Sequence, residues 1–294
     1  MSTTVARPDR AAARRRRYLL DVGWKYPVAI LVIVYATFPL LYVVSASLNP
    51  RGSLAGSSSL FSAIDFSNFA ALGDTTYWTW ASNTLLIGGI SSIGAVIMGA
   101  AAAYAFSRFR FSGRRASLTG LLIIQMFPQA LAFVAIFLML LAIGETVPSL
   151  GINSKLALIC VYLGGALGTN TFLMYGFFNT IPIEIDESAR IDGATHAQIF
   201  WRLIMPLVTP ILAVVALLAF VAAFGDYILA RIILVSEDNW TLAVGMYQWV
   251  SNQLTSRWGL FAAGTVIAAI PVLALFLALQ RYIVGGLTAG SVKG

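Results

Sequence analysis

The chain has 294 residues, of which 59% are hydrophobic and 11% are charged, whereas soluble globular domains carry about 25% charged residues. This composition excludes a water-soluble globular fold and indicates an integral membrane protein. The net charge of +7 does not require nucleic acid as a partner, because Lys and Arg also accumulate in the cytoplasmic loops of membrane proteins. We expect membrane lipid, and no nucleic acid, beside these basic segments.

Six long segments lack Asp, Glu, Lys, Arg and His, and each is long enough to span a bilayer, which takes roughly 20 helical residues. We therefore predict an all-α integral membrane protein with six transmembrane helices. Residues 49–80 and 226–258 carry charges and are predicted to be extramembrane loops. The six segments are residues 26–48, 81–106, 118–143, 156–178, 203–224 and 259–279.

The distribution of Lys and Arg predicts the orientation of the chain. Most of these residues lie in the N-terminal segment 1–25, in the loops after the second and fourth spans, and in the C-terminal tail 282–294. Six spans place both termini on the same side of the membrane. Both termini are therefore predicted to be cytoplasmic.

Small residues recur at every fourth position of the second span, and Gly164 and Gly168 have the same spacing in the fourth. Such stripes favour close packing between membrane helices. The stripe in the second span consists of Ser91, Ala95, Gly99 and Ala103.

Gln125, Gln129 and Asn170 are polar residues within the third and fourth spans, and Pro128 interrupts the third. In hydrocarbon such side chains need a hydrogen-bond partner, either in a neighbouring helix or in a polar ligand within a transport pathway. Both interpretations stay open for these three residues.

The spans lack ionisable residues, which disfavours an ion-coupled carrier and a membrane-embedded enzyme, because both depend on such groups. Sodium coupling through the carbonyl groups of broken helices stays open. We predict no catalytic residue and no metal site. The chain also lacks the Gly-x-x-x-x-Gly-Lys-Ser/Thr pattern that binds nucleotide phosphates.

The segment between the fourth and fifth spans predicts two short helices joined by a bend. Pro182 suits a first helical position, and Gly193 suits a left-handed helix terminus. Thr195 and Gln198 have the spacing of a capping box that begins a second helix.

This segment is acidic on an otherwise basic side of the membrane. Before the bend it carries Glu184, Asp186, Glu187 and Asp192 against Arg190. The charge alone is consistent with a docking surface for a partner and equally with a solvated loop.

The motif Glu187-Ser188-Ala189, followed by Asp192-Gly193-Ala194 and then by Ile204 and Pro206, resembles the EAA loop of the permease subunits of binding-protein-dependent ABC importers. Ser188 departs from the alanine that is usual at its position. The segment Thr241–Met246 and the ending Gly286–Gly294 are similar to the MalG-like permease subunits of maltose/maltodextrin importers, and the likeness extends from residue 81 to the C-terminus.

This resemblance implies a type I ABC importer permease fold. It implies a first transmembrane helix and external loop at 26–80, a transmembrane core at 81–281 and an EAA loop at 182–206. The protein would be a multi-pass component of a prokaryotic cytoplasmic (inner) membrane.

The resemblance also implies partners and residue roles. The partners would be a homologous second permease, two ATP-binding subunits that hold ATP and Mg, and an extracytoplasmic sugar-binding protein. No cofactor is expected in this chain. Glu187, Asp192 and Gly193 would couple the loop to the ATPase, and Gln125, Gln129 and Asn170 would be candidates for a substrate pathway. Maltose, maltodextrin, trehalose and other oligosaccharides fit equally well.

Overall fold

Every regular element in the described part of the chain is helical. The computed structural model describes residues 19–50, 60–251 and 257–289, and none of these residues is in a β-strand. The first 18 residues, including most of the basic N-terminal segment, and residues 290–294 of the tail lie outside the described ranges. The predicted all-α architecture is confirmed.

The helices are numbered here in chain order, and single helical turns are left unnumbered. They are α1 (Lys25–Ser47), α2 (Ser67–Ala71), α3 (Tyr77–Arg108), α4 (Arg114–Met126), α5 (Gln129–Thr146), α6 (Lys155–Phe178), α7 (Glu184–Ile191), α8 (His196–Leu207), α9 (Thr209–Gly225), α10 (Ile228–Ile233), α11 (Leu242–Gln248) and α12 (Trp258–Ala289).

Within the described ranges, five helices are long and apolar enough to cross a membrane, namely α1, α3, α5, α6 and α12. A sixth span forms if α8 and α9 are taken together, although the pair is bent by 80°. The structure therefore agrees with six predicted apolar spans, and it differs from the prediction in how two of them are built.

The third predicted span, residues 118–143, is not one continuous helix. It consists of α4 and α5, which are separated at Phe127 and Pro128. Phe127 has an extended backbone, with φ −70° and ψ 130°, as is usual before a proline. Because Pro128 has no N–H group and its ring excludes the preceding helical turn, the helix ends at Met126 and a new one begins at Gln129.

The fifth predicted span also begins later than expected. The apolar run starts at Leu203, but α9 starts at Thr209, after the bend. Pro210 cannot donate a hydrogen bond to the carbonyl group of Pro206. The Thr209 hydroxyl donates to that carbonyl instead, at 2.8 Å, so the bend leaves it paired.

The centre of the bundle is the contact between α3 and α6, which is the most extensive helix pair, followed by α3 with α9. The predicted stripe on α3 is buried along its whole length, which confirms its role in packing. At Gly99 a side-chain Cβ would lie 3.3 Å from the Cβ of Asn170 on α6, so glycine permits the close approach of these helices. All four residues of the stripe, from Ser91 to Ala103, are buried against the rest of the bundle.

Gly164 does not take part in the predicted close packing within the described chain. Gly164 is exposed, and no atom lies within 4 Å of the position that its Cβ would occupy. Gly168, one turn further on, is buried against the Gln125 side chain of α4. The spacing of the two glycines predicts a packing stripe on α6, but α4 lies close to Gly168 only.

The segment after α9, predicted as an extramembrane loop, contains α10 and α11 and packs on the N-terminal end of α3. The Trp80 indole donates to the carbonyl group of Glu237 at 3.1 Å, and the Asn83 amide donates to that of Trp240 at 2.9 Å. The second span itself begins at Tyr77, earlier than the predicted Ala81. This end of α3 is opposite to the end that contacts α7.

Candidate functional site

The segment that joins α6 to α9 folds as two short helices with a tight turn, as predicted. α7 carries three acidic residues in its first turn and Arg190 in its last, an arrangement that the helix dipole favours. Pro182, predicted as the first helical residue, instead precedes the helix, because Ile183 is the N-cap and α7 begins at Glu184. The Ile183 carbonyl group accepts the first backbone hydrogen bonds of α7.

The turn after α7 is a Schellman motif. Gly193 has φ +81°, which is the left-handed conformation that glycine adopts without steric cost. The Gly193 N–H donates to the Arg190 carbonyl group at 3.0 Å, and the Ala194 N–H donates to the Ala189 carbonyl group at 2.9 Å. These are the paired bonds that close such a terminus, and they confirm the predicted role of Gly193 in the bend.

The predicted capping box begins α8. The Gln198 N–H donates to the Thr195 hydroxyl at 3.3 Å, and the Thr195 N–H donates to the Gln198 side-chain oxygen at 2.8 Å. Gly193 and Thr195 together fix the direction in which the chain leaves the turn.

The predicted site residues divide into an exposed set and a buried set. Glu187, Ser188, Asp192, Gly193 and Pro206 are exposed, Ala194 is half-buried, and Ala189 and Ile204 are buried. Four of the exposed residues of α7 and its turn define what we call the docking surface, namely Glu187, Ser188, Ile191 and Asp192.

Ile191 is the member of the docking surface that sequence reasoning missed. Its side chain is 87% exposed, although it lies in a charged segment between Arg190 and Asp192. An apolar side chain gains free energy when it leaves water, and aliphatic and aromatic residues anchor protein interfaces. Nothing in the apolar periodicity of a single eight-residue helix separates such a residue from one that faces the core.

Asp186 does not belong to the acidic surface, contrary to the sequence-based expectation. It is buried, and its carboxylate pairs with the guanidinium of Arg108 at the end of α3, with 3.0 Å between Nε and Oδ2. The exposed acidic residues of this segment are Glu184, Glu187 and Asp192.

The base of the segment is apolar and packs on the transmembrane bundle. Ile199, Phe200 and Ile204 of α8 are buried in a cluster that also contains Tyr104 of α3 and Phe178 of α6. The Tyr104 and Phe200 rings lie 5.1 Å apart. The docking surface is therefore carried by a scaffold that is continuous with the core of the bundle.

The three candidate pathway residues lie in different environments. The Gln125 side-chain oxygen accepts a hydrogen bond from Thr169 at 2.8 Å, so Gln125 joins α4 to α6. Gln129 is exposed in the first turn of α5. Asn170 is buried beside Gly99, between α6 and α3. Gln125 thus has the interhelical contact that was one of its two interpretations, and the three residues do not face one common helix.

Comparison with known proteins places this architecture in a family. Residues 92–288 match the family described as "Binding-protein-dependent transport system inner membrane component". The chain belongs to this family. It is a permease of the bacterial inner membrane and not an enzyme.

Curated relatives match nearly the whole permease. It is 41% identical over 270 residues to the maltodextrin transport system permease protein MdxG of Bacillus subtilis, which covers 92% of this chain and 95% of the relative. It is 38% identical over 283 residues to the galactooligosaccharides transport system permease protein GanQ of the same organism, which covers 95% of this chain and 98% of the relative. The resemblance inferred from the loop motif is confirmed.

The fold of the permease matches solved structures as well. A chain of a bacterial ABC transporter involved in the import of the acidic polysaccharide alginate superposes with a TM-score of 0.73 and 24% identity, over 96% of this permease and 99% of that chain. This match supports the predicted fold of an ABC importer permease.

Proposed function

We propose that this permease forms half of the transmembrane pathway of an ATP-driven importer of an oligosaccharide and is coupled to a separate ATPase through the docking surface. A second, homologous permease would complete the pathway. Two ATP-binding subunits would bind ATP and Mg, and an extracytoplasmic binding protein would deliver the sugar. The relatives transport maltodextrins or galactooligosaccharides, so these sugars and the related maltose and trehalose are the substrates to test first.

The observation that carries this proposal is the docking surface itself. It combines two carboxylates with an apolar side chain that is 87% exposed, on a helix whose end is fixed by the Gly193 turn. An exposed apolar side chain beside carboxylates is compatible with a protein interface that has a polar rim, and the resemblance of this segment to an EAA loop supports that assignment. A groove with basic edges and an apolar floor on an ATPase would complement it.

The distribution of charge supports an orientation with this surface in the cytoplasm, where ATP is available. Arg108 is the last residue of α3, and Arg110, Arg114 and Arg115 follow it, at the same end of the bundle as α7. Positive residues beside membrane spans are retained on the cytoplasmic side. The segment with α10 and α11 would then face the extracytoplasmic binding protein.

The coupling mechanism follows from the packing. Closure of the ATPase dimer would displace α7 and the turn at Gly193. Since α8 is packed against α3 and α6 and continues through the bend into α9, the displacement would reach the transmembrane bundle. The six apolar segments of the sequence contain no Asp, Glu, Lys, Arg or His that could serve ion coupling, so the free energy would come from ATP.

The test is ATP-dependent uptake of radiolabelled maltodextrin, maltose, trehalose and galactooligosaccharide by the reconstituted transporter. We expect Glu187→Ala to reduce uptake severely, because it removes a charged group from the centre of the docking surface, and Glu145→Ala to have no effect. Glu145 is a matched control, since it is an exposed carboxylate at the other end of the bundle. Uptake by the chain without an ATPase, driven by an ion gradient, would contradict the proposal and indicate a secondary carrier.

A further inference from the structure

A buried ion pair joins α7 to the end of α3. The Arg108 and Asp186 side chains are 5% and 2% exposed, and Nε lies 3.0 Å from Oδ2. The Tyr104 hydroxyl donates to the other carboxylate oxygen at 3.4 Å, and the Arg108 guanidinium also donates to the Ile181 carbonyl group at 3.1 Å. Arg108 thus binds both α7 and the residues that lead into it.

Adjacent residues of α7 face opposite directions. Asp186 and Ala189 are buried, three residues apart and so on the same side of the helix. Glu187, Ser188 and Ile191 are exposed on the other side. The helix therefore has a docking surface that faces outwards and an inner side that contacts the bundle. Consecutive residues, such as Asp186 and Glu187, belong to opposite sides.

The inner contact ends on the helix that is best placed to distribute a displacement. α3 is 32 residues long and packs more extensively on α6 and α9 than on any other helices of the described chain. Arg108 is its last residue. A force applied at Arg108 would act along the helix that forms the centre of the bundle.

We propose that Asp186 and Arg108 are positioning residues that fasten α7 to α3, so that movement of the docking surface is passed to α3 rather than absorbed by bending of the loop. This inference rests on the proposed coupling function and adds a specific route to it. The Arg108 and Asp186 charges are both buried, so separating α7 from α3 would leave each of them without its opposite charge. Neutralising one partner leaves the other charge buried without compensation, and this is strongly unfavourable.

The experiment uses the complete reconstituted transporter and measures three quantities: co-purification of the ATPase, ATP hydrolysis stimulated by the loaded binding protein, and sugar uptake. For Asp186→Asn and Arg108→Gln we expect the ATPase to stay bound and to hydrolyse ATP, while uptake per ATP falls by about tenfold, the order of coupling change seen for mutations within a coupling network. The matched control is Glu145→Gln, which neutralises an exposed carboxylate at the other end of the bundle and should leave uptake per ATP unchanged.

Two further variants keep the proposal open to contradiction if a neutralised variant fails to assemble. Asp186→Glu retains the charge on a longer side chain, so it should assemble fully and lower uptake per ATP by a smaller factor. Combining Asp186→Arg with Arg108→Asp should recover part of the activity that Asp186→Arg loses. Unchanged uptake per ATP in Asp186→Asn or in Asp186→Glu would overturn the proposal.

The same measurements separate this inference from the proposed function. If the inference alone is wrong, Glu187→Ala still abolishes coupling while Asp186→Asn transports normally per ATP. If the proposed function is wrong, Glu187→Ala has no effect on ATPase binding or uptake.

Discussion

Ile191 and Gly193 show how single residues of the α7 turn are constrained for different reasons. Ile191 is 87% exposed on α7, and the proposed contact with the ATPase would account for its apolar character. At Gly193 no atom lies within 4 Å of the position that a Cβ would occupy. Glycine is therefore favoured there by the left-handed backbone, at φ +81°, and not by a lack of space. A change at Ile191 is therefore expected to affect association with the ATPase, and a change at Gly193 is expected to affect the stability of the turn.

Ile191→Ser should leave the thermal stability of the purified permease unchanged and weaken its association with the ATPase, because it changes a side chain that is 87% exposed and is proposed to anchor the ATPase. Truncation of an interface anchor typically costs about 2 kcal/mol or more. Co-purification of the ATPase measures the effect. Ile64→Ser is the control, since Ile64 is similarly exposed at the other end of the bundle; equal losses in both variants would contradict the assignment.

Gly193→Val should destabilise the α7 turn by about 1–2 kcal/mol, the cost of a left-handed conformation for a residue with a side chain. Gly193→Asn should have a much smaller effect, because asparagine tolerates this conformation. A steric clash of the new side chain would destabilise both variants to a similar degree. No atom lies within 4 Å of the position that a Cβ would occupy at residue 193, so such a clash is not expected. Thermal unfolding of the purified transporter, combined with the ATPase co-purification assay, distinguishes a backbone cause from a steric clash.

At the scale of elements, Pro128 and Pro210 lie where helices end or begin, whereas α1 and α12 continue through Pro39 and Pro271. Pro128 divides the third span, and Pro210 sets the start of α9 after the 80° bend. A bundle built from broken helices has positions where segments can change their relative angle without loss of hydrogen bonds inside each segment. The long, continuous α3 contrasts with these and packs on both α6 and α9.

The α3–α6 contact should be sensitive to side-chain volume at Gly99 and insensitive at Gly164. Gly99→Leu forces a side chain against Asn170 and Met174, and overpacking of this kind costs about 1–3 kcal/mol. Gly164→Leu places the same side chain on an exposed surface of α6. Thermal unfolding of the isolated permease in detergent should therefore separate the two variants, and an equal loss of stability would argue against the observed packing.

Sequence patterns predicted local features well and tertiary partners poorly. The Gly193 turn, the Thr195 capping box and the α3 stripe follow from backbone preferences and helical spacing, which are local. The burial of Asp186 depends on Arg108, which is far away in the sequence, and a single acidic residue in an acidic segment carries no sign of such a partner. The exposure of Gly164 and of Ile191 likewise depends on which helix lies nearby, and spacing does not encode that.

At the scale of the whole molecule, the surfaces of α1 and α5 are mostly uncovered by the rest of the described chain. In hydrocarbon such apolar surfaces need no protein partner, so their exposure is compatible both with lipid and with a second permease. The two ends of the bundle differ more clearly: one carries the docking surface and the arginines after α3, and the other carries α10 and α11 on the N-terminal end of α3.

The proposed orientation of these two ends can be measured by cysteine labelling in a Cys160→Ala background, which removes the single native cysteine. In right-side-out membrane vesicles, a membrane-impermeant maleimide should label Ile64→Cys directly. It should label Glu184→Cys only after the vesicles are permeabilised, because the docking surface is expected to be cytoplasmic. The reverse pattern would mean that the chain is inserted the other way.

The two-sided construction of α7 has a consequence for exchange between transport systems. The exposed residues proposed to meet the ATPase and the buried residues that hold the helix to its own bundle alternate along the sequence. Replacing Glu187, Ser188, Ile191 and Asp192 while keeping Asp186, Ala189 and Arg108 should redirect the permease to a different motor subunit without rebuilding its interior. The same separation would let one motor serve several permeases, provided that their outward faces stay alike while their sugar specificities diverge.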